Sequence, residues 1–158
     1  MSHQDSPAYK AMFEAVRETF ENMAFIEVSE QSDELDYEIP TEEVWVSILI
    51  HNPLQGELRL ALSKEMLTTM TADMFNIETE EVEEKQRRDI LAEMLNTLAG
   101  IFMTKFLPDD QTYQLGLPEQ GEGPIPENDE GSIVWNLQIE GSPLLLVASG
   151  AGFNGLTQ

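Results

Sequence analysis

The chain contains no cysteine, which excludes a disulfide framework, a thiol nucleophile and a Cys-ligated metal. Basic residues are scarce: 8 Lys and Arg stand against 30 Asp and Glu in 158 residues, for a formal net charge of −22. Such a field opposes nucleic acid and anionic membranes, and it repels a small free phosphate ester, whereas a basic protein surface is attracted. There are only two histidines, His3 and His51, and neither has a second ligand at metal spacing. No run approaches the roughly 18 apolar residues of a membrane span. The opening MSHQDSPAYK has no apolar signal core, so a cytoplasmic location is expected. With 41% hydrophobic residues the chain can still bury a core. Its length fits one domain over 1–158, with no internal repeat at a fixed period.

Period and capping place the elements. Met12, Phe13, Val16, Phe20 and Met23 recur at helical spacing, so residues 7–24 read as an amphipathic helix. Phe25 to Val28 reads as a short strand. Glu27 to Glu43 carries eight acidic and no basic residues and reads largely as a solvated loop. Val44 to Ile50 is β-branched and apolar, Asn52 to Gly56 is turn chemistry, and Glu57 to Leu62 alternates, which predicts a hairpin. Ser63 suits a helix N-cap, and Met66, Met70 and Met74 form a stripe on the helix to Phe75 that packs a core or offers an adaptable surface. Thr79 opens a long helix to Phe106, with a break near Glu84. Lys85, Arg87 and Arg88 on it either balance the Glu run at 80–84 through i,i+4 pairs or hold an acidic partner. Strands are expected over Thr112–Leu117, Ile133–Ile139 and Leu144–Ala148, the last central, with Trp135 inward or at an interface. Residues 1–6, part of 29–43, 119–131 and 150–158 read as mobile. The order α-β-β-α-α-β-β-β describes an α+β fold: an antiparallel sheet with long helices on one face.

The most informative stretch is DILAEMLNTLAG, Asp89 to Gly100. As a helix it turns Ile90, Leu91, Met94, Leu95, Leu98, Ile101 and Phe102 to one broad apolar side. Asp89, Glu93, Asn96 and Gly100 share the other side. Asn and Gly are poor helix formers, so they are odd choices for a solvated stripe. Gly100 removes a side chain and admits a close surface. Asn96 supplies an uncharged donor and acceptor, and Glu93 a fixed anion for a partner's Lys or Arg. Periodicity alone leaves a second reading open, in which Asn96 is simply tolerated and Glu93 simply solvated.

The segment resembles the signature of the CheC/CheX/FliY phosphatases of bacterial chemotaxis, an Asp or Ser followed by spaced Glu, Asn and Pro. Here Asp89, Glu93 and Asn96 stand at that spacing, followed by the small-residue run Thr97-Leu98-Ala99-Gly100. Leu115-Gly116-Leu117-Pro118 is similar to the family's strand ending in Pro. Twenty-one residues separate Asn96 from Pro118, one fewer than in the family's pattern, which places a deletion near Leu107-Pro108-Asp109-Asp110.

The resemblance implies a CheX/CheC-like arrangement with the Glu-Asn face toward solvent. It also implies a phosphatase acting on the aspartyl phosphate of a CheY-like response-regulator receiver in two-component signalling. Asn96 would position the attacking water, Glu93 would pair with the receiver's Lys, and Asp89, Gly100 and Pro118 would support them. The chain would need no metal or cofactor of its own, with Mg2+ expected in the receiver. The alternative is a non-catalytic CheX-like module that binds or sequesters a response regulator. The first helix holds Glu18, Glu21 and Asn22 without the signature spacing, so one site per chain is expected. A homodimer joined through sheet edges at Ile133–Ile139 or Leu144–Ala148 is possible.

Overall fold

The computed structural model describes residues 7–31, 42–51, 55–106, 114–123 and 132–150. The acidic segment 32–41, the turns at Asn52-Pro53-Leu54 and Pro108-Asp109-Asp110, and the tail from 151 lie outside the described residues.

The chain opens with helix α1, Pro7–Ala24, as its periodicity predicts. Strand β1, Val28–Glu30, begins at the last residue of the expected short strand. Strands β2, Glu43–His51, and β3, Gly56–Ser63, form the antiparallel hairpin, with Val46 opposite Leu60 and Ile48 opposite Leu58. Helix α2, Lys64–Phe75, follows β3 without a linker. Ser63 caps it: its hydroxyl accepts from the Met66 N–H at 3.0 Å while its own backbone stays extended. A 3-10 turn at Thr79–Glu81 precedes helix α3, Glu84–Phe106. The break expected near Glu84 is therefore real, and the Gln86 side chain accepts from the Glu83 N–H at the start of α3.

Beyond α3 come β4, Gln114–Leu115, and β5, Glu119–Glu122, then β6, Ile133–Ile139, and β7, Ser142–Ser149. One antiparallel sheet results, in the order β1-β6-β7-β3-β2-β4, with β5 on β2 as well. Alternate residues of the long strands meet the helices in one core: Val46 and Ile48, Leu58 and Leu60, Leu144 and Leu146, Trp135 and Leu137. Trp135 is inward. Its indole N–H donates to the Tyr9 carbonyl at 3.1 Å and its ring stacks on Tyr9, which ties α1 to β6. Met70 is buried and Met66 and Met74 pack partly against the same core, so the methionine stripe of α2 is packing.

Two expectations change. Glu119–Glu122, expected inside a mobile loop, pairs with β2 from Val44 to Ser47. Its polar sequence hides the strand, because an edge strand needs only backbone pairing on one side. Gly121 suits it: a Cβ there would meet the Trp45 ring, which lies across the glycine. The second change concerns sheet edges. β7 has β6 on one side and β3 on the other, and β1 covers β6 from Leu137 to Ile139. β7 therefore offers no free edge for joining sheets.

Candidate functional site

Helix α3 builds the site because its two sides have opposite fates. Leu91, Met94, Leu95, Leu98, Ala99, Phe102 and Met103 are buried, which fixes the rotation of the rod against α1, α2 and the sheet. That rotation leaves Asp89, Glu93 and Asn96 exposed, with Gly100 half-buried at the end of the same stripe. Burial of seven side chains makes the rod rigid, so polar groups on its outer side are held in register without contacts of their own.

The pairing pattern separates these groups. Asp89 is engaged by Lys85, Nζ to Oδ2 at 3.5 Å, one turn back on the same helix. Among the described residues, nothing hydrogen-bonds or pairs with the side chains of Glu93 or Asn96. The Thr104 hydroxyl donates back to the Gly100 carbonyl at 2.9 Å.

Asn96 and Gly100 line an open depression of about 440 Å3 together with Thr97, Ile101, Thr104, Lys105 and, from α1, Glu18. Lys105 bridges the two helices, 2.9 Å from Glu18 and 3.7 Å from Glu14. The hydrogen bond to Glu18 holds the Lys105 ammonium above the usual lysine range; desolvation opposes it, and the negative charges of Glu18 and Glu14 add to it. The depression is thus lined by a cation already satisfied and a carboxamide left free. Chemically it can receive a surface carrying hydrogen-bonding oxygen atoms and present an amide to them.

Pro118 stands on a different element. It lies in the connection between β4 and β5, along the edge of β2 and not in the Asn96 depression. The span Ser47 to Ile50 on β2 is matched by one residue more, Leu115 to Glu119, so Gly116 to Pro118 forms a bulge. Proline suits it, having no N–H to pair, while the Gly116 N–H still reaches the Leu49 carbonyl at 2.8 Å. The structure therefore groups Asp89, Glu93, Asn96 and Gly100 along one helix, while Pro118 lies in the β4–β5 connection and does not line the depression. Sequence reasoning did not find Glu18 and Lys105 as walls of the depression. They carry no local signal, because only the packing of α1 on α3 brings them there.

Among the described residues, no group of three or more His, Cys, Asp or Glu could hold a metal ion, and no helix is long and apolar enough to cross a membrane.

Solved structures of chemotaxis proteins share this fold. A putative chemotaxis protein from Desulfovibrio vulgaris Hildenborough superposes with a TM-score of 0.73 at 13% identity, covering 93% of this chain and 98% of that one. The chemotaxis protein CheX from Vibrio vulnificus gives 0.72 at 13% identity, covering 90% and 97%. The CheX-CheY-BeF3-Mg2+ complex from Borrelia burgdorferi gives 0.62 at 15% identity, covering 89% and 95%. The architecture is therefore that of the CheX and CheC chemotaxis proteins. The family described as chemotaxis phosphatase CheX matches residues 44–124, a span holding Asp89, Glu93, Asn96 and Pro118, and the chain belongs to that family. Among curated proteins none matches it in sequence.

Proposed function

We propose that this protein accelerates hydrolysis of the aspartyl phosphate on a CheY-like receiver domain, with Asn96 positioning the attacking water. The observation that carries this reading is the uncommitted Asn96 carboxamide on an exposed, rigidly held helix face, one turn after the equally uncommitted Glu93. The family description as a chemotaxis phosphatase supports it. So does the fold shared with a relative solved as a complex with CheY, BeF3 and Mg2+.

Hydrolysis of a phosphoryl group needs a water held in line with the leaving oxygen and charge neutralisation around the transferred group. A receiver brings its own Mg2+ and Lys. What remains is to orient the water. The Asn96 carbonyl oxygen accepts from one water hydrogen while its amide donates to a phosphoryl oxygen. A carboxylate in that place would be repelled by the phosphoryl oxygens. Glu93 pairs with the receiver's Lys and sets where Asn96 lands. Gly100 admits the receiver's surface. Asp89, held by Lys85, braces the start of the face.

The test is the lifetime of a phosphorylated receiver with and without the protein. The wild-type protein shortens it. Asn96→Ala does not, yet still binds the same receiver loaded with beryllofluoride, a mimic of the phosphoryl group. Undiminished acceleration by Asn96→Ala would sink the assignment. Binding without any acceleration by the wild-type protein would leave the sequestering module in its place.

A further inference from the structure

Helices α1, α2 and α3 carry six threonines, and five of them spend the side-chain hydroxyl inside their own helix. Thr19 donates to the Ala15 carbonyl at 2.8 Å, Thr68 to Lys64 at 2.8 Å, Thr69 to Glu65 at 3.1 Å, Thr71 to Leu67 at 2.7 Å and Thr104 to Gly100 at 2.9 Å. That is the ordinary fate of a helical threonine, whose branched Cβ can bring its oxygen back to the carbonyl one turn earlier. Thr97 is the exception. Its hydroxyl has no hydrogen-bond partner among the described residues. It is half-buried, and it lines the same depression as Asn96.

Its place on the helix ties it to the two uncommitted groups of the site. Asn96 and Thr97 stand three and four residues after Glu93, so both are surface neighbours of that carboxylate, one turn on. At about 100° per residue Asn96 lies roughly 60° to one side of Glu93 and Thr97 roughly 40° to the other. Thr97 is on the side of Ile101 and Lys105, toward α1, whose Glu18 lines the depression as well. Glu93, Asn96 and Thr97 therefore form a triangle of polar groups, each without a partner in the described residues.

We propose that Thr97 is a third positioning residue of this site, its hydroxyl donating to a neutral carbonyl oxygen on the surface of the receiver that Asn96 serves. This rests on the reading of Asn96 given above. Two contacts leave a rigid partner free to swing about the line that joins them. A third contact off that line stops the swing, and small angular errors at a reacting centre are costly. Glu93 and Asn96 supply the line and Thr97 stands to one side of it. A hydroxyl whose hydrogen is not given to its own helix is a ready donor. The sign of the field selects the acceptor: Glu93 one turn before and Glu18 across the depression disfavour a carboxylate there and leave an uncharged oxygen.

The experiment measures two quantities for one receiver: affinity when it is loaded with beryllofluoride, and turnover when it is phosphorylated. The proteins compared are wild type, Thr97→Val, Thr97→Ser, Thr69→Val and Asn96→Ala. Valine keeps the shape of threonine without the hydroxyl, and serine keeps the hydroxyl. Thr69→Val removes a helical threonine hydroxyl on α2, away from the depression. Should valine at this half-buried position lower the melting midpoint, Thr97→Ala repeats the deletion with the better helix former. The expected result for Thr97→Val is a Kd raised about tenfold, the size of one hydrogen bond, with kcat/KM lowered at least as far. Thr97→Ser and Thr69→Val stay within about twofold of wild type. Wild-type affinity in Thr97→Val, with Asn96→Ala inactive, would overturn the contact and leave the function standing. Equal losses in Thr97→Val and Thr97→Ser would also overturn it, because shape and not the hydroxyl would then matter. Undiminished turnover in Asn96→Ala would overturn the reading of Asn96 and the three-point seat built on it.

Discussion

Helices α1 and α3 pack on each other, yet their outward sides are finished differently. On α1 four charged groups are taken up within the molecule: Arg17 meets Glu21 at 3.8 Å, and Glu14 and Glu18 both reach Lys105. On α3 the stripe is paired only at its start, between Lys85 and Asp89, and then runs on through the unpaired Glu93 and Asn96 to a half-buried glycine. A helix that consumes its own charges is a structural wall. One that holds an anion and a carboxamide out on a rigid rod, with nothing bulky after them, is prepared for another surface. Of the α1 residues Glu18, Glu21 and Asn22, the two acids are committed to cations.

Substitutions can break or sharpen this contrast. The largest effects come from a pair on α3. Leu98 is fully buried, so Leu98→Ala should cost about 2–5 kcal/mol in chemical denaturation. Asn96→Ala, two positions earlier, should leave stability within about 0.5 kcal/mol. It should also remove roughly 10²–10³-fold of the receiver dephosphorylation rate. If the two variants lost stability equally, α3 would not have the two sides described. Next, Glu93→Gln should raise the KM for the phosphorylated receiver about tenfold, with a smaller change in kcat. A pure loss of kcat would count against its pairing role.

A smaller effect tests the bridge between the helices. The Lys105 pKa is raised in the fold by its hydrogen bond to Glu18 and the charges of Glu18 and Glu14. The folded state therefore holds this proton more tightly than the unfolded chain does. The resulting stabilisation is fully present below the ordinary lysine value of 10.5 and is lost as pH rises through the raised value. Thermal melts of the wild type should fall more steeply above pH 10.5 than those of Lys105→Met, and parallel curves would refute the bridge. The smallest effect is on α1 itself. Arg17→Ala breaks a half-exposed surface pair and should change stability by less than about 1 kcal/mol and leave dephosphorylation unaltered.

Some of the molecule was legible because the signal is local. Met12, Val16 and Phe20 mark α1 by their spacing, the apolar alternation of 57–62 marks β3, and Ser63 marks the start of α2 by its own hydroxyl. The exposed side of α3 was legible for the same reason, since a period of 3.6 decides which residues share a stripe. Strand β5 was not, because Glu-Gln-Gly-Glu has no apolar alternation and takes its order from distant elements, the edge of β2 and the Arg88 carbonyl of α3. The fate of Lys85, Arg87 and Arg88 was not either. A helical spacing allows pairs with the Glu run, but Lys85 turns forward to Asp89 and the arginines turn to a cavity closed by α2 and β5.

By itself the sequence determined the antiparallel α+β layering and the stripe of Asp89, Glu93, Asn96 and Gly100, because periodicity and capping are properties of neighbouring residues. Only the tertiary structure decided that Glu18 and Lys105 wall the depression beside Asn96, that Pro118 sits in a bulge opposite the edge of β2, and that four of the chain's scarce cations gather at one end of α3. Those outcomes depend on which elements pack together, and packing joins residues that no spacing along the chain relates.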